Sequence, residues 1–313
     1  MSVKVKKFCF ESKFDAVPIS GICMIPDNPS GILQMVHGMC EHKSRYLSFM
    51  QNMAERGYIT LMHDTRGHGE SVKSKEDIGH CYDSLEVGMV GDIYKISQQI
   101  KKEYPGLPLI LYGHSMGSLA ARVYIRNHDD MIDGLIIAGS PSYNELVPVG
   151  LKIVNRLRKR HGERYRSALM QEIAISRFEN RFKHENRKYS WLSSKDSVLK
   201  ALREDELCNF VYTLNGFEAL LNMEYITYRA GGYRVGHVDL PILFMSGMDD
   251  PCYVNENKWR QSVDRMKELG YQNVREIRYA GMRHEIQNED GNDKVFDDVD
   301  CFCKEVIRSV ENR

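Results

Sequence analysis

The chain has 313 residues, with 43 Lys and Arg against 43 Asp and Glu, and 42% of its residues are hydrophobic. That length suits one large α/β core with an insertion, or two domains. The balanced charge excludes the basic surplus of a nucleic-acid binder. The first fifteen residues place no long apolar run behind their lysines, so no signal peptide is expected there. No segment approaches the roughly 18 apolar residues of a membrane span. Among eight cysteines there is no zinc-type C-x-x-C pair, and Cys301 and Cys303 are too close in sequence for a staple. Reduced thiols in a cytoplasmic protein are the expectation.

In chain order, residues 3–10 and 19–25 read as paired strands, and 31–37 and 58–63 as buried ones. Between the last two, 44–56 reads as a helix ended by Gly57. From 84 to 102, Leu85, Met89, Ile93, Ile96 and Ile100 recur at helical spacing until Pro105 stops the run. A strand at Leu109, a helix after Ser115 and a strand over 135–138 follow. This alternation predicts an α/β fold, a mostly parallel sheet flanked by helices. Residues 143–238 break the rhythm with charged, helical sequence, and strands return at 240–246 and 274–279 before a closing helix over 294–309. The chain therefore divides into a core segment (1–142), a helical cap inserted between two core strands (143–238) and a second core segment (239–313).

The stretch Leu109 to Ile125 carries the most information. A short apolar run ends at Gly113, Ser115 stands between Gly113 and Gly117, and a helix-forming run follows. A serine on a sharp strand-to-helix turn exposes its hydroxyl, and the flanking glycines let strand and helix approach. The helix N-terminus favours negative charge nearby, which suits an oxyanion. A hydroxyl is a weak nucleophile without a base, and the base should be a histidine held by a carboxylate. Such groups come from loops at the carboxyl ends of strands. One late strand runs into Met248-Asp249-Asp250-Pro251, and the next into Gly281-Met282-Arg283-His284-Glu285. The order Ser, Asp, His makes Ser115, an aspartate and His284 the expected catalytic residues. A second oxyanion donor should follow an early strand, where the sequence reads His37-Gly38-Met39-Cys40-Glu41-His42.

With these residues in place, the chain resembles the α/β-hydrolase group of monoacylglycerol lipases, lysophospholipases and serine aminopeptidases. The group's H-G-x-G-E-H-x-x-R-Y reads His37 to Tyr46 here, its D-x-R-G-H-G-x-S reads Asp64 to Ser71, and its G-H-S-M-G reads Gly113 to Gly117. Its G-x-x-H-E segment is matched by Gly281, His284 and Glu285, followed by Asn288 and Glu289. The resemblance implies an α/β-hydrolase fold with a cap. It selects Asp250 over Asp249, third after the strand-ending glycine; the other carboxylate is a candidate to cap the helix near Asn255. It implies amides of Met39 and Met116 as the oxyanion hole, an acyl-enzyme mechanism needing no cofactor, and a small-molecule ester or lipid substrate. A peptidase of the serine aminopeptidase type and a catalytically silent binding protein are the alternatives. Cys40 departs from the pattern, standing where the group has glycine.

Other features have competing readings. His63, Asp64 and His68 suggest a metal set, but no further His/Cys cluster completes it, so no metal is expected. Met39, Met248 and Met282 flank catalytic elements and are candidates to bind the substrate's acyl chain. Leu146, Val149, Ile153 and Leu157 form an apolar stripe beside the basic run Arg158 to Arg160. Such a stripe can lie on a membrane. Packing within the cap is expected instead, with membrane contact at most transient.

Overall fold

A computed structural model describes residues 2–229 and 231–312. Eight strands form one sheet: β1 (Val3–Glu11), β2 (Pro18–Pro26), β3 (Gly31–Val36), β4 (Tyr58–His63), β5 (Leu109–His114), β6 (Gly134–Ala138), β7 (Ile242–Gly247) and β8 (Val274–Tyr279). Their spatial order is β1-β2-β4-β3-β5-β6-β7-β8. β1 and β2 pair antiparallel, β2 pairs antiparallel with β4, and every other neighbour is parallel. Strand order reverses at β3, whose neighbours are β4 and β5. Such a switch point opens a crevice beyond the carboxyl ends of the strands.

β3 to β7 are buried along their whole length, because helices cover both faces. Alternate residues serve alternate layers. Ile32, Leu109, Leu111 and Ile137 face one core, together with Leu119 and Tyr124 of α3 (Met116–His128) and Ile93 of α2 (Leu85–Glu103). Leu33, Met35, Ile110 and Tyr112 face the other. There Phe49 of α1 (Leu47–Glu55) stacks on Phe296 of the closing helix, and its edge meets Tyr112 at 5.3 Å.

Between β6 and β7 lie four helices: α4 (Val147–His161), α5 (Ala168–Arg181), α6 (Asp196–Glu204) and α7 (Leu214–Tyr228). Local chemistry starts two of them. Ser167 accepts a hydrogen bond from Met170 N at the head of α5, and Thr213 one from Gly216 N at the head of α7. α7 packs against α2 and α3 of the core as well as against α4. Its Leu214, Phe217 and Met223 belong to the same buried cluster as the sheet, so part of the inserted sequence is core in the physical sense. The stripe on α4 differs from expectation. Leu146, Val149 and Ile153 are 67%, 50% and 39% exposed, and Leu157 alone of the four packs inward. The chain closes with α8 (Glu256–Glu268), β8 and α9 (Asp293–Glu311).

Candidate active site

β5 ends at His114, and the chain reverses into α3 through Ser115, whose φ is 53° and ψ −118°. A non-glycine residue in that region is strained and persists only where its surroundings hold it. Here Ser115 N donates to Ala138 O of β6 at 2.9 Å, and Ser115 O accepts from Ser118 N. The glycines on either side leave no alternative. A Cβ on Gly113 would lie 2.4 Å from Gly117 O, and one on Gly117 would lie 2.2 Å from Val36 O.

The later strands deliver the other two residues. Asp250, after β7, is fully buried, and its Oδ1 accepts from Cys252 N at 2.8 Å. Its Oδ2 accepts from Ser246 Oγ at 3.1 Å and lies 3.0 Å from His284 Nδ1. Burial alone works against ionisation of Asp250. The His284 imidazole and the donors around the carboxylate outweigh it, and its pKa falls below the ordinary value. With Nδ1 committed to Asp250, His284 has its other ring nitrogen without a protein hydrogen bond among the described residues. The imidazole is fixed between Trp191 and His114, with ring centroids 5.0 and 4.7 Å away. Asp249 is exposed, its amide bonded to Met282 O. Neither aspartate caps α8. Asn255 does so with its own side chain, accepting from Lys258 N at 3.0 Å, because an Asx residue directly at the helix start has the shorter reach.

Ser115, Met116, Met39 and His284 line one cavity of about 420 Å³. The Met39 turn follows β3 and is held from inside: Gly38 N donates to Glu41 Oε1 at 2.6 Å, and His37 bridges Gly38 O and Thr65 N. Cys40 follows with φ at 55°, which explains a glycine preference there. Its thiol lines the cavity and donates to Phe210 O, and burial pushes its pKa far up. Met248 and Met282 do not line the cavity. Met248 is 44% exposed at the surface, and Met282 packs into the core beneath β7 and β8 with Ile286 and Val295. Proximity in sequence to Asp250 and His284 did not orient either side chain toward the cavity.

A polar scaffold went unassigned in the sequence reading. Glu41 accepts from Tyr46 Oη at 2.8 Å and lies 3.5 Å from His114 Nδ1, and His114 Nε2 donates to His284 O at 3.1 Å. Arg45 bridges Glu41 and Glu285. Burial opposes charge throughout, but His114 and Arg45 hold Glu41 ionised and Glu41 raises His114. The signal was present: Glu41, Arg45, Tyr46, His114 and Glu285 all fall inside the quoted motifs. The His63, Asp64 and His68 side chains do not converge. Asp64 receives Lys43 Nζ, Lys43 N and Glu70 N, and His68 meets Tyr212 Oη at 2.6 Å. His63 has neither ring nitrogen bonded.

This sheet order, with a strained serine turn at its switch point, defines an α/β-hydrolase fold. Residues 27–291 match the family described as Serine aminopeptidase, S33, and the chain belongs to that family. A monoacylglycerol lipase of Mycolicibacterium smegmatis is 25% identical over 88% of each chain. The monoglyceride lipase homolog of monkeypox virus is 30% identical over 37% of this chain, a match that spans 40% of that protein's length. A thermostable carboxyl esterase from Bacillus coagulans, solved with glycerol, superposes with a TM-score of 0.88 at 25% identity, covering 97% of this chain and 99% of that one.

Proposed function

We propose that the chain is a serine hydrolase that cleaves carboxylic esters through an acyl-enzyme, with Ser115 as nucleophile, His284 as base and Asp250 as its orienting carboxylate. The observation that carries this reading is the 3.0 Å contact between His284 and a fully buried Asp250, with His284 and Ser115 lining the same cavity. His284 takes the Ser115 proton as Oγ bonds to the ester carbon. Amides of Met39 and Met116 receive the oxyanion; Met116 opens α3, so its N–H has no partner within the helix. The C–O bond to the alcohol breaks as His284 protonates the leaving oxygen. Water then attacks the acyl-enzyme, giving its proton to His284, and Ser115 leaves with that proton.

The cavity walls are mostly aliphatic and aromatic, with Leu119, Ile153, Ile175, Phe178, Trp191 and Leu221 among them. Together with relatives named monoacylglycerol lipase and carboxyl esterase, this supports a medium or long acyl chain, as in a monoacylglycerol or lysophospholipid. α4 to α7 act as the cap over Ser115. Among the described residues no helix is long and apolar enough to cross a membrane. The exposed Leu146, Val149 and Ile173 line the open cavity, Leu169 is exposed beside them on α5, and together they favour transient contact with a lipid surface. The eight cysteines are free thiols, which suits a cytoplasmic setting.

A fluorophosphonate probe tests the reading. Labelling of the wild type that is lost in Ser115→Ala, with ester turnover lost in parallel, supports it. Asp250→Asn should keep the fold and lower kcat by roughly 10⁴-fold, as a mis-set histidine does elsewhere. Folded wild-type protein that neither labels nor turns over esters overturns it.

A further inference from the structure

The apolar cavity contains a carboxylate that the reaction does not use. Glu224 lies on α7, among Leu220, Leu221 and Ile153 on the cavity wall. Its Oε1 accepts a hydrogen bond from Asn144 N at 2.9 Å, which anchors that oxygen. Among the described residues its other oxygen has no protein partner, and Glu224 makes no ion pair. A charged group so placed costs several times what it returns unless something completes its hydrogen bonds.

The surroundings restrict what that something is. Arg177 of α5 lines the same cavity, and the Arg122 guanidinium of α3 also acts on Glu224. Arg122 is itself buried with no carboxylate in ion-pair range among the described residues, bonded to Ser140 Oγ at 2.6 Å and set over the Tyr228 ring. From the loop after β7, Cys252 is a further titratable neighbour, its thiol held protonated by burial and by Asp250. Two guanidiniums disfavour a cationic ligand, and the carboxylate disfavours an anionic one. A neutral hydrogen-bond donor fits both.

We propose that Glu224 is a specificity-determining residue, whose open carboxyl oxygen accepts a hydrogen bond from a hydroxyl group carried by the ester substrate. This rests on the serine-hydrolase reading above and deepens it: the cavity selects hydroxylated esters over plain ones of equal length. Burial raises Glu224 to a pKa of about 7, against the pull of Asn144 N and the two arginines. The acceptor therefore strengthens as pH rises through neutrality.

The test compares specificity constants. Three ester types of one chain length are used: the ethyl ester of a plain acid, the ethyl ester of the same acid with a hydroxyl on its chain, and the glycerol monoester of the plain acid. The wild type should favour a hydroxylated ester over the plain one by about 3- to 10-fold, chiefly through KM, one hydrogen bond's worth. Glu224→Leu should bring the ratio close to one, and Glu224→Gln should retain part of it. Which ester responds shows whether the hydroxyl sits on the acyl or the alcohol side. Taking the ratio cancels the protonation of His284, common to all three substrates. It should rise between pH 6 and 8 in the wild type and stay flat in Glu224→Gln. An active wild type with a ratio near one for both hydroxylated esters overturns the proposal, as does an unchanged ratio in folded Glu224→Leu. If that variant fails to fold, a pH-dependent ratio in Glu224→Gln equal to the wild type's overturns it. A wild type inactive on all three esters and unlabelled at Ser115 overturns the serine-hydrolase reading itself.

Discussion

His63 ends β4 fully buried, with both ring nitrogens unbonded. Desolvation holds its pKa down at about 3, and His68 is lowered to about 3 for the same first reason. The unfolded chain takes up these protons near pH 6.5, while the folded chain refuses them until about pH 3. Between those values the unfolded state binds more protons, so stability falls as pH drops. Asp250, lowered from 3.8, adds to this only at still lower pH. His114, raised, acts in the opposite sense, its contribution present below 6.5 and lost as pH rises through its folded value. His37, His80 and His128 are lowered as well, while the raised carboxyl of Glu224 joins His114 in the opposite sense. The five depressed histidines outweigh those two groups, so Tm should drop from pH 7 to pH 5, and His63→Leu should make that slope shallower. An equal slope in both proteins refutes the account. At this scale the strand-end loops that carry Ser115, the Asp249-Asp250 pair and His284 could be located from the sequence because each follows a strand in a fixed order, whereas choosing Asp250 took the family resemblance. Met248 and Met282 were misplaced because the direction of a side chain depends on the local backbone, which spacing does not reveal. Glu224 gave no signal, since a glutamate on an exposed helical face and one in a cavity read alike.

The strand-to-helix turn at Ser115 works because three elements nearly touch. α3 crosses so close to β3 that Gly117 has room for no side chain, its would-be Cβ meeting the carbonyls of Val36 and His37 at 2.2 and 2.7 Å. Those obstacles are backbone and cannot turn aside as a flexible side chain would. Gly117→Ala should therefore destabilise by about 2 kcal/mol or more, read as a lower urea midpoint with an unchanged m-value. Because Val36 leads directly into the Met39 turn, activity should fall further than stability explains. A variant within about 0.5 kcal/mol of wild type would show that α3 can slide. The strands, and the helices α1, α2, α3 and α9, were legible because apolar periodicity and glycine punctuation agree with their burial. The inserted region was legible only as helical. Its apolar stripe at the start of α4 has the spacing of a packed face, but Leu146, Val149 and Ile153 are exposed and only Leu157 of the four packs inward, since periodicity marks a surface and does not say what covers it.

Among the described residues, four of the six large hydrophobics that are at least half exposed lie on or beside α4 and α5, with Val5 on β1 and Val87 on α2. Those four are Leu146, Val149, Leu169 and Ile173. A lipid surface that covered Leu169 would gain about 2 kcal/mol from that side chain, or roughly thirtyfold in partition. Leu169→Glu, a residue outside the cavity wall, should reduce binding to phosphatidylcholine vesicles by at least that factor in a flotation assay. Undiminished flotation would remove the lipid-contact reading while leaving the chemistry at Ser115 untouched.

α7 serves two masters. Its inner face is welded to α2 and α3, and Phe217, Leu220, Leu221 and Glu224 of the cavity wall sit on the same rod. Selectivity and thermal resistance are thus mechanically linked: a helix that cannot shift cheaply passes on every change in bulk or polarity to the sheet behind it. A lineage adapting to a new ester would have its easiest latitude in α4 to α6, and exchanging the inserted sequence with that of a relative should succeed only if the junction leaves α7 with its own core.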